Sequence, residues 1–154
     1  MSKIETTAQV AEIIAAFAVV ISLVYVGLEI RQNTEAIQSA NQQSGLALGN
    51  EWDSWLRDQT FASLYVESSK DLSALSAVQQ LQLDKFIGQG LNLWEFAFYS
   101  HREGLMDDEP WESWDRFFRR EAQGRKVWRL LWESKRDSYG ESFQAHVDSY
   151  LGGQ

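Results

Sequence analysis

Residues 13–28 read Ile-Ile-Ala-Ala-Phe-Ala-Val-Val-Ile-Ser-Leu-Val-Tyr-Val-Gly-Leu, without a charge, closed by Glu12 on one side and by Glu29 and Arg31 on the other. Large apolar side chains (Ile13, Ile14, Phe17, Val20, Ile21, Leu23, Val24 and Leu28) fill one half of a helical projection, and Val19, Tyr25 and Val26 with small residues fill the other, so no side of the helix is charged. At helical rise this run covers ~24 Å, and the uncharged turn at residues 6–11 extends it towards the ~30 Å of a hydrocarbon core. The pattern predicts a membrane anchor over residues 1–30. The alternative is the core helix of a soluble bundle, but an apolar surface all round suits lipid better than a small bundle. Thr6 or Thr7 is a candidate N-cap. Ala11, Ala15, Ala18 and Ser22 form a small-residue face suited to packing anchors together.

Beyond the anchor the period stays helical. Ile30, Ile37, Ala40, Ala47, Leu48, Trp52, Trp55 and Leu56 make one stripe with no Pro, so the anchor continues as one helix of about 50 residues. Gly45 and Gly49 are weak points that would let this helix lie close to the Gly88/Gly90 helix. A short helix over residues 61–69 and a connection over 70–75 follow. Ser76 with Gln79 has the capping-box spacing and opens a central core helix reaching about Glu103. There Gly88 and Gly90 would admit a close neighbour. Gly104 is placed to end that helix in the left-handed conformation. Asp107, Asp108, Glu109 and Pro110 start the next, with an Asp as cap and Trp111, Trp114, Phe117 and Phe118 as its buried stripe. Gly124 breaks it. Helices over 125–136 and 141–151 follow, separated by a turn at Tyr139-Gly140. No segment alternates with period two. The expected fold is all-α: an N-terminal transmembrane helix continuing into a long helix, then an antiparallel helical bundle over residues 31–154.

Two stretches carry a resemblance. The first runs Ser22-Leu23-Val24-Tyr25-Val26-Gly27-Leu28-Glu29-Ile30-Arg31-Gln32-Asn33-Thr34. The second joins Glu95-Phe96-Ala97-Phe98-Tyr99 and Arg102-Glu103-Gly104-Leu105-Met106-Asp107 to Trp111-Glu112-Ser113-Trp114. Together they resemble a group of small bacterial membrane-anchored helical proteins. No activity is assigned to that group, so the resemblance implies topology and no chemistry.

Composition narrows the function classes. The chain has 154 residues, the size of one domain, with seven Trp, eight Phe and five Tyr for a core, a single Pro and no Cys. The absence of Cys removes disulfides and thiolate metal sites. A net charge of −8 disfavours nucleic acid as a partner. The N-terminus lacks the basic n-region and small-residue cleavage site of a signal peptide, so an uncleaved anchor is expected. Glu12 and Glu29 read as boundary markers at the interfaces. If Glu12 faced a helix–helix seam instead, a pore or proton path would be arguable.

Candidate chemistry is sparse. Neither His101 nor His146 has an acid three or four residues away, so surface or capping histidines are expected and no metal or cofactor. There is no Gly-x-Ser-x-Gly elbow and no phosphate-binding loop, and Gly88-Gln89-Gly90 lies inside a helix. The informative feature is charge asymmetry. Residues 116–136 hold eight basic and two acidic side chains, net +6, which leaves −14 for the remainder of a chain at −8. Arg125, Lys126 and Arg129 interleaved with Trp128 and Trp132 make an amphipathic basic stretch that can lie on anionic lipid or meet an acidic partner. The plainer reading, and the one favoured, is that it pairs internally with the acidic remainder or stands as a solvated face.

The expected function is therefore a non-enzymatic, single-pass membrane-anchored protein of the bacterial inner (cytoplasmic) membrane. Its soluble domain is expected in the cytoplasm, and it assembles with itself as a homo-oligomer or with a membrane complex. The alternatives are a homo-oligomeric pore or transporter accessory subunit, and an enzyme with a site in the bundle.

Overall fold

The computed structural model describes residues 3–68, 72 and 74–151; of residues 3–8 and 10 only the backbone is described. The described chain is all-α, with no strand. Six α-helices run α1 Lys3–Ser54, α2 Gln59–Glu67, α3 Ala77–Arg102, α4 Asp108–Gly124, α5 Lys126–Lys135 and α6 Glu141–Leu151, with 3-10 turns at Trp55–Arg57 and Arg136–Ser138. The chain divides into two compact units, Met1–Ala40 and Asn41–Gln154, with the division inside α1. Because α1 begins at Lys3, Thr6 and Thr7 lie within it and neither is its N-cap. Half of the connection expected over 70–75 (residues 70, 71 and 73) lies outside the described residues.

Local signals set the helix ends in the second unit. The Asp58 side chain accepts from the Phe61 N–H at 2.9 Å and starts α2. At α3 both halves of the capping box form: Ser76 Oγ accepts from the Gln79 N–H, and Gln79 Oε1 accepts from the Ser76 N–H. α3 ends in a Schellman motif. Gly104 has φ 73°, its N–H donates to the His101 carbonyl, and the Leu105 N–H reaches the Ser100 carbonyl at 2.8 Å. Gly104→Ala puts a Cβ into the left-handed region where nothing else is in the way. The substitution should cost ~1 kcal/mol through backbone strain alone. An unchanged urea midpoint for the full chain in mild detergent would refute this. α4 departs from expectation: Asp107 is at the N-cap, but its side chain makes no cap hydrogen bond. Asp108 is engaged instead by His101, at 2.9 Å.

The core of the second unit is aromatic. Trp52 from the end of α1 stacks on Phe86 at 4.7 Å, and Trp94 on Phe118 at 5.8 Å. Phe86, Ile87, Leu91, Val127, Trp128, Phe143 and Val147 are fully buried. Each buried indole finds an acceptor, as burial of its N–H demands. Trp52 donates to the Phe86 carbonyl, Trp128 to the Tyr65 hydroxyl, Trp94 to Asp115 and Trp132 to Asp148, all at 2.8–2.9 Å.

Three of the glycines expected at close helix approaches, Gly45, Gly49 and Gly90, seat aromatic rings from neighbouring helices. A Cβ on Gly45 would meet Phe96 and Trp114, one on Gly49 would meet Trp114, and one on Gly90 would lie 2.8 Å from Trp128 and 3.0 Å from Trp52. They are sockets for aromatic rings, Phe96 first at Gly45 and indoles at Gly49 and Gly90.

Candidate functional site

The first candidate is the apolar part of α1. Ile13, Ile14, Phe17, Val20, Ile21, Leu23, Val24 and Leu28 are all exposed. By length and composition α1 can cross a membrane, and none of its most apolar window is buried in the protein. A core helix of a soluble bundle would be mostly covered. Ala11, Ala15, Ala18 and Ser22 lie on the same uncovered helix. The Ser22 hydroxyl donates to the Ala18 carbonyl one turn back, at 2.8 Å, so it presents no unsatisfied donor to an apolar surrounding. Glu12 and Glu29 are exposed at the two ends of the run.

The second candidate is the basic stretch, and here the structure corrects the sequence reading. Trp128 and Trp132 are buried, at 0% and 2% exposure, with their indoles hydrogen-bonded inside the bundle. They cannot reach lipid. An amphipathic helix with aromatic residues on its apolar face looks alike whether that face meets a bilayer or a core, and here it meets the core. Most of the basic residues pair internally. Arg119 meets Asp115 at 3.2 Å, Arg125 meets Glu121 at 2.9 Å, Lys135 meets Asp84 at 2.9 Å, and Arg136 meets Asp148 at 2.7 Å. Arg125 also lies over the Tyr65 ring at 4.4 Å. The Arg129 Nε is buried and bonds to nothing among the described residues. Of the three basic residues expected to face lipid, Lys126 alone is exposed.

The pairing has electrostatic consequences. The Arg136 hydrogen bond, with a second from Trp132, holds the Asp148 carboxyl below its usual range against a smaller opposing effect of burial. Burial pushes the Tyr65 hydroxyl well up, and its bond from Trp128 offsets this only partly.

The third candidate was missed in the sequence. Asp115 is a buried carboxylate, 6% exposed, on the face of α4 that carries Trp111, Phe118 and Ala122. Its Oδ1 accepts from Trp94 Nε1 at 2.9 Å and from His146 Nε2 at 2.7 Å, while Oδ2 meets Arg119. Burial alone would raise its pKa. The bonds from His146 and Trp94 and the charges of His146 and Arg119 outweigh that and hold it low. His146 is mostly buried among Trp94, Phe98, Trp111, Phe143 and Tyr150, and is no surface histidine. His101 stacks on the other partner of that cluster, Trp111, at 5.3 Å and bonds Asp108. So α4 is clamped at Asp108 and at Asp115 by the chain's two histidines. With each carboxylate oxygen of Asp115 already engaged, the network is built to hold α4, α6 and α3 together. A charged residue inside an apolar stripe was the available signal. Its partners, 21 and 31 positions away on other helices, were not.

Among the described residues no group of three or more His, Asp or Glu side chains is arranged to hold a metal ion. No protein-family model, no curated protein and no solved structure matches this chain.

Proposed function

We propose that the protein is a non-enzymatic, single-pass membrane-anchored helical protein of the bacterial inner membrane, and that it assembles with itself or with a membrane complex. The observation that carries this reading is the uncovered apolar surface of α1, too large to leave in water. The resemblance of residues 22–34 to the anchor exit of small bacterial membrane-anchored proteins supports the same topology. Assembly through Ala11, Ala15, Ala18 and Ser22 is supported by a shallow groove lined by Ala18, Val19, Ser22, Leu23 and Val26, into which a second helix could fit. Cytoplasmic placement of the bundle is supported by Arg120 and Lys126, exposed and without an ion pair among the described residues, which suit an anionic inner leaflet.

The test is extraction. The full chain stays with the membrane pellet after alkaline carbonate, and a C-terminal epitope is digested by protease only when the cytoplasmic face is accessible. Release by carbonate would overturn the anchor. Digestion from the opposite face would overturn the orientation alone.

A further inference from the structure

The surface of α1 changes character at the end of its apolar run, and it does so on one side only. At about 100° per residue, Phe17, Ile21, Val24 and Leu28 share one half of the helix. Beyond Glu29 that same half carries Arg31, Gln32 and Glu35. It is apolar over the length that meets lipid and charged over the length that meets water, as a surface facing the medium has to be. Arg31 and Glu35 bond each other at 2.9 Å, one turn apart, and need no other partner.

The other half does not change. Val19, Leu23 and Val26 line the shallow groove of α1. Their spacing of four and three residues runs on through Ile30, Asn33 and Ile37, all within an arc of about 80°. Ile30 and Ile37 lie beyond the charged boundary at Glu29, yet they are 63% and 46% exposed. Every side chain from residue 11 to residue 37 is exposed, so no described part of the chain covers them. A helix side that stays apolar across a membrane surface does not follow the medium. It is matched to protein.

The occupant that fits is a second copy of this chain. Copies anchored with one orientation meet in parallel and at the same depth, so Ile30 meets Ile30 and Ile37 meets Ile37. The spacing averages about 3.5 residues, the period of helices wound left-handed about each other, and β-branched residues at 30 and 37 suit a two-stranded pair. Asn33 is the polar residue of the series and meets its own counterpart, where two amides can exchange hydrogen bonds. No acidic or basic residue falls on the series, so pairing sets no like charges face to face. Ser22 and Gly27 flank it on its two sides and let the backbones come close. Nothing within the chain requires that glycine, because a Cβ on Gly27 would meet nothing within 4 Å.

We propose that two copies pair in parallel along the face of Val19, Leu23, Val26, Ile30, Asn33 and Ile37. The pairing rests on the membrane reading and gives its self-assembly a surface and a direction. The chain has no Cys, so within a dimer an introduced Cys can bridge only to its equivalent. Single substitutions are made in the full chain, and isolated membranes are treated with a mild oxidant. Ile30→Cys and Ile37→Cys give about fivefold more disulfide-linked dimer than Arg31→Cys and Glu35→Cys, which lie on the outer side beyond bridging distance. Equal yields at the four positions, or no dimer at any, would overturn the pairing. Maxima at Glu29→Cys and Ala36→Cys would place the contact on the face of Ala11, Ala15, Ala18 and Ser22, which overturns this surface and leaves self-assembly standing. Carbonate extraction of the same membranes reads the anchor separately. Retention without maxima at 30 and 37 overturns the pairing alone, whereas release overturns the anchor and the pairing together.

Discussion

Trp128→Ala lowers the unfolding free energy of the full chain by about 3–5 kcal/mol, measured by urea titration in mild detergent. The indole is fully buried, wedged edge-on against Trp52 at 6.2 Å and beside Phe118, and its N–H is half of the link to Tyr65. Removing it opens a cavity and leaves the Tyr65 hydroxyl without its donor. Gly90 makes the result diagnostic. Gly90→Ala gains ~1 kcal/mol of helix propensity, yet its methyl would lie 2.8 Å from Trp128 and 3.0 Å from Trp52. Both rings are pinned by hydrogen bonds, so the overpacking outweighs the gain and the single substitution destabilises by ~1 kcal/mol or more. In the Trp128→Ala background one of the two rings is gone and the cost shrinks. Strict additivity of the two changes would mean that Gly90 is not the socket of this ring.

Asp115→Ala is the second large effect, about 3–5 kcal/mol, because it strands the Trp94 N–H and leaves His146 and Arg119 facing a vacated site. Asp115→Asn is milder, since an amide oxygen still accepts from Trp94, but it removes the charge. The acid limb of stability should show this. The folded pKa of Asp115 is depressed, so its contribution is complete above the ordinary carboxylate value of ~3.9 and is lost as pH falls through the folded value. Wild type therefore loses stability below about pH 4, and Asp115→Asn loses less over the same interval. Asp148, depressed by Arg136 and Trp132, titrates in the same direction and remains in both proteins. Parallel acid limbs for the two would show that the Asp115 charge contributes nothing.

What could be read from the sequence was what is local. The Ser76 capping box and the Gly104 corner depend on residues within a few positions of each other, and both lie where their spacing put them. The helical period gave the all-α fold for the same reason. Periodicity identifies an apolar face and is silent about what covers it. Hence the pattern leaves Trp128 and Trp132 open to lipid, to a partner or to the core, and they complete the core; Gly45, Gly49 and Gly90 read only as places of close approach, without the rings from neighbouring helices that they seat. The Asp115 network and the Lys135–Asp84 pair join α3, α4, α5 and α6 across 21 to 51 positions, and no window along the chain contains them.

The distribution of indoles has an optical consequence. All seven tryptophans lie between positions 52 and 132, and the aromatic residues of 13–28 are Phe17 and Tyr25 alone. Excited at the red edge of indole absorption, the protein reports on its aromatic core and on nothing in the apolar segment. Trp52, Trp94, Trp128 and Trp132 are shielded from water, so their emission is blue-shifted while the bundle is folded and moves to the red as it opens. Trp94 and Trp132 each donate to a carboxylate, which makes the quantum yield sensitive to the protonation of Asp115 and Asp148. Opening of the bundle can therefore be followed by intrinsic fluorescence of the purified protein in detergent or lipid vesicles, without a label.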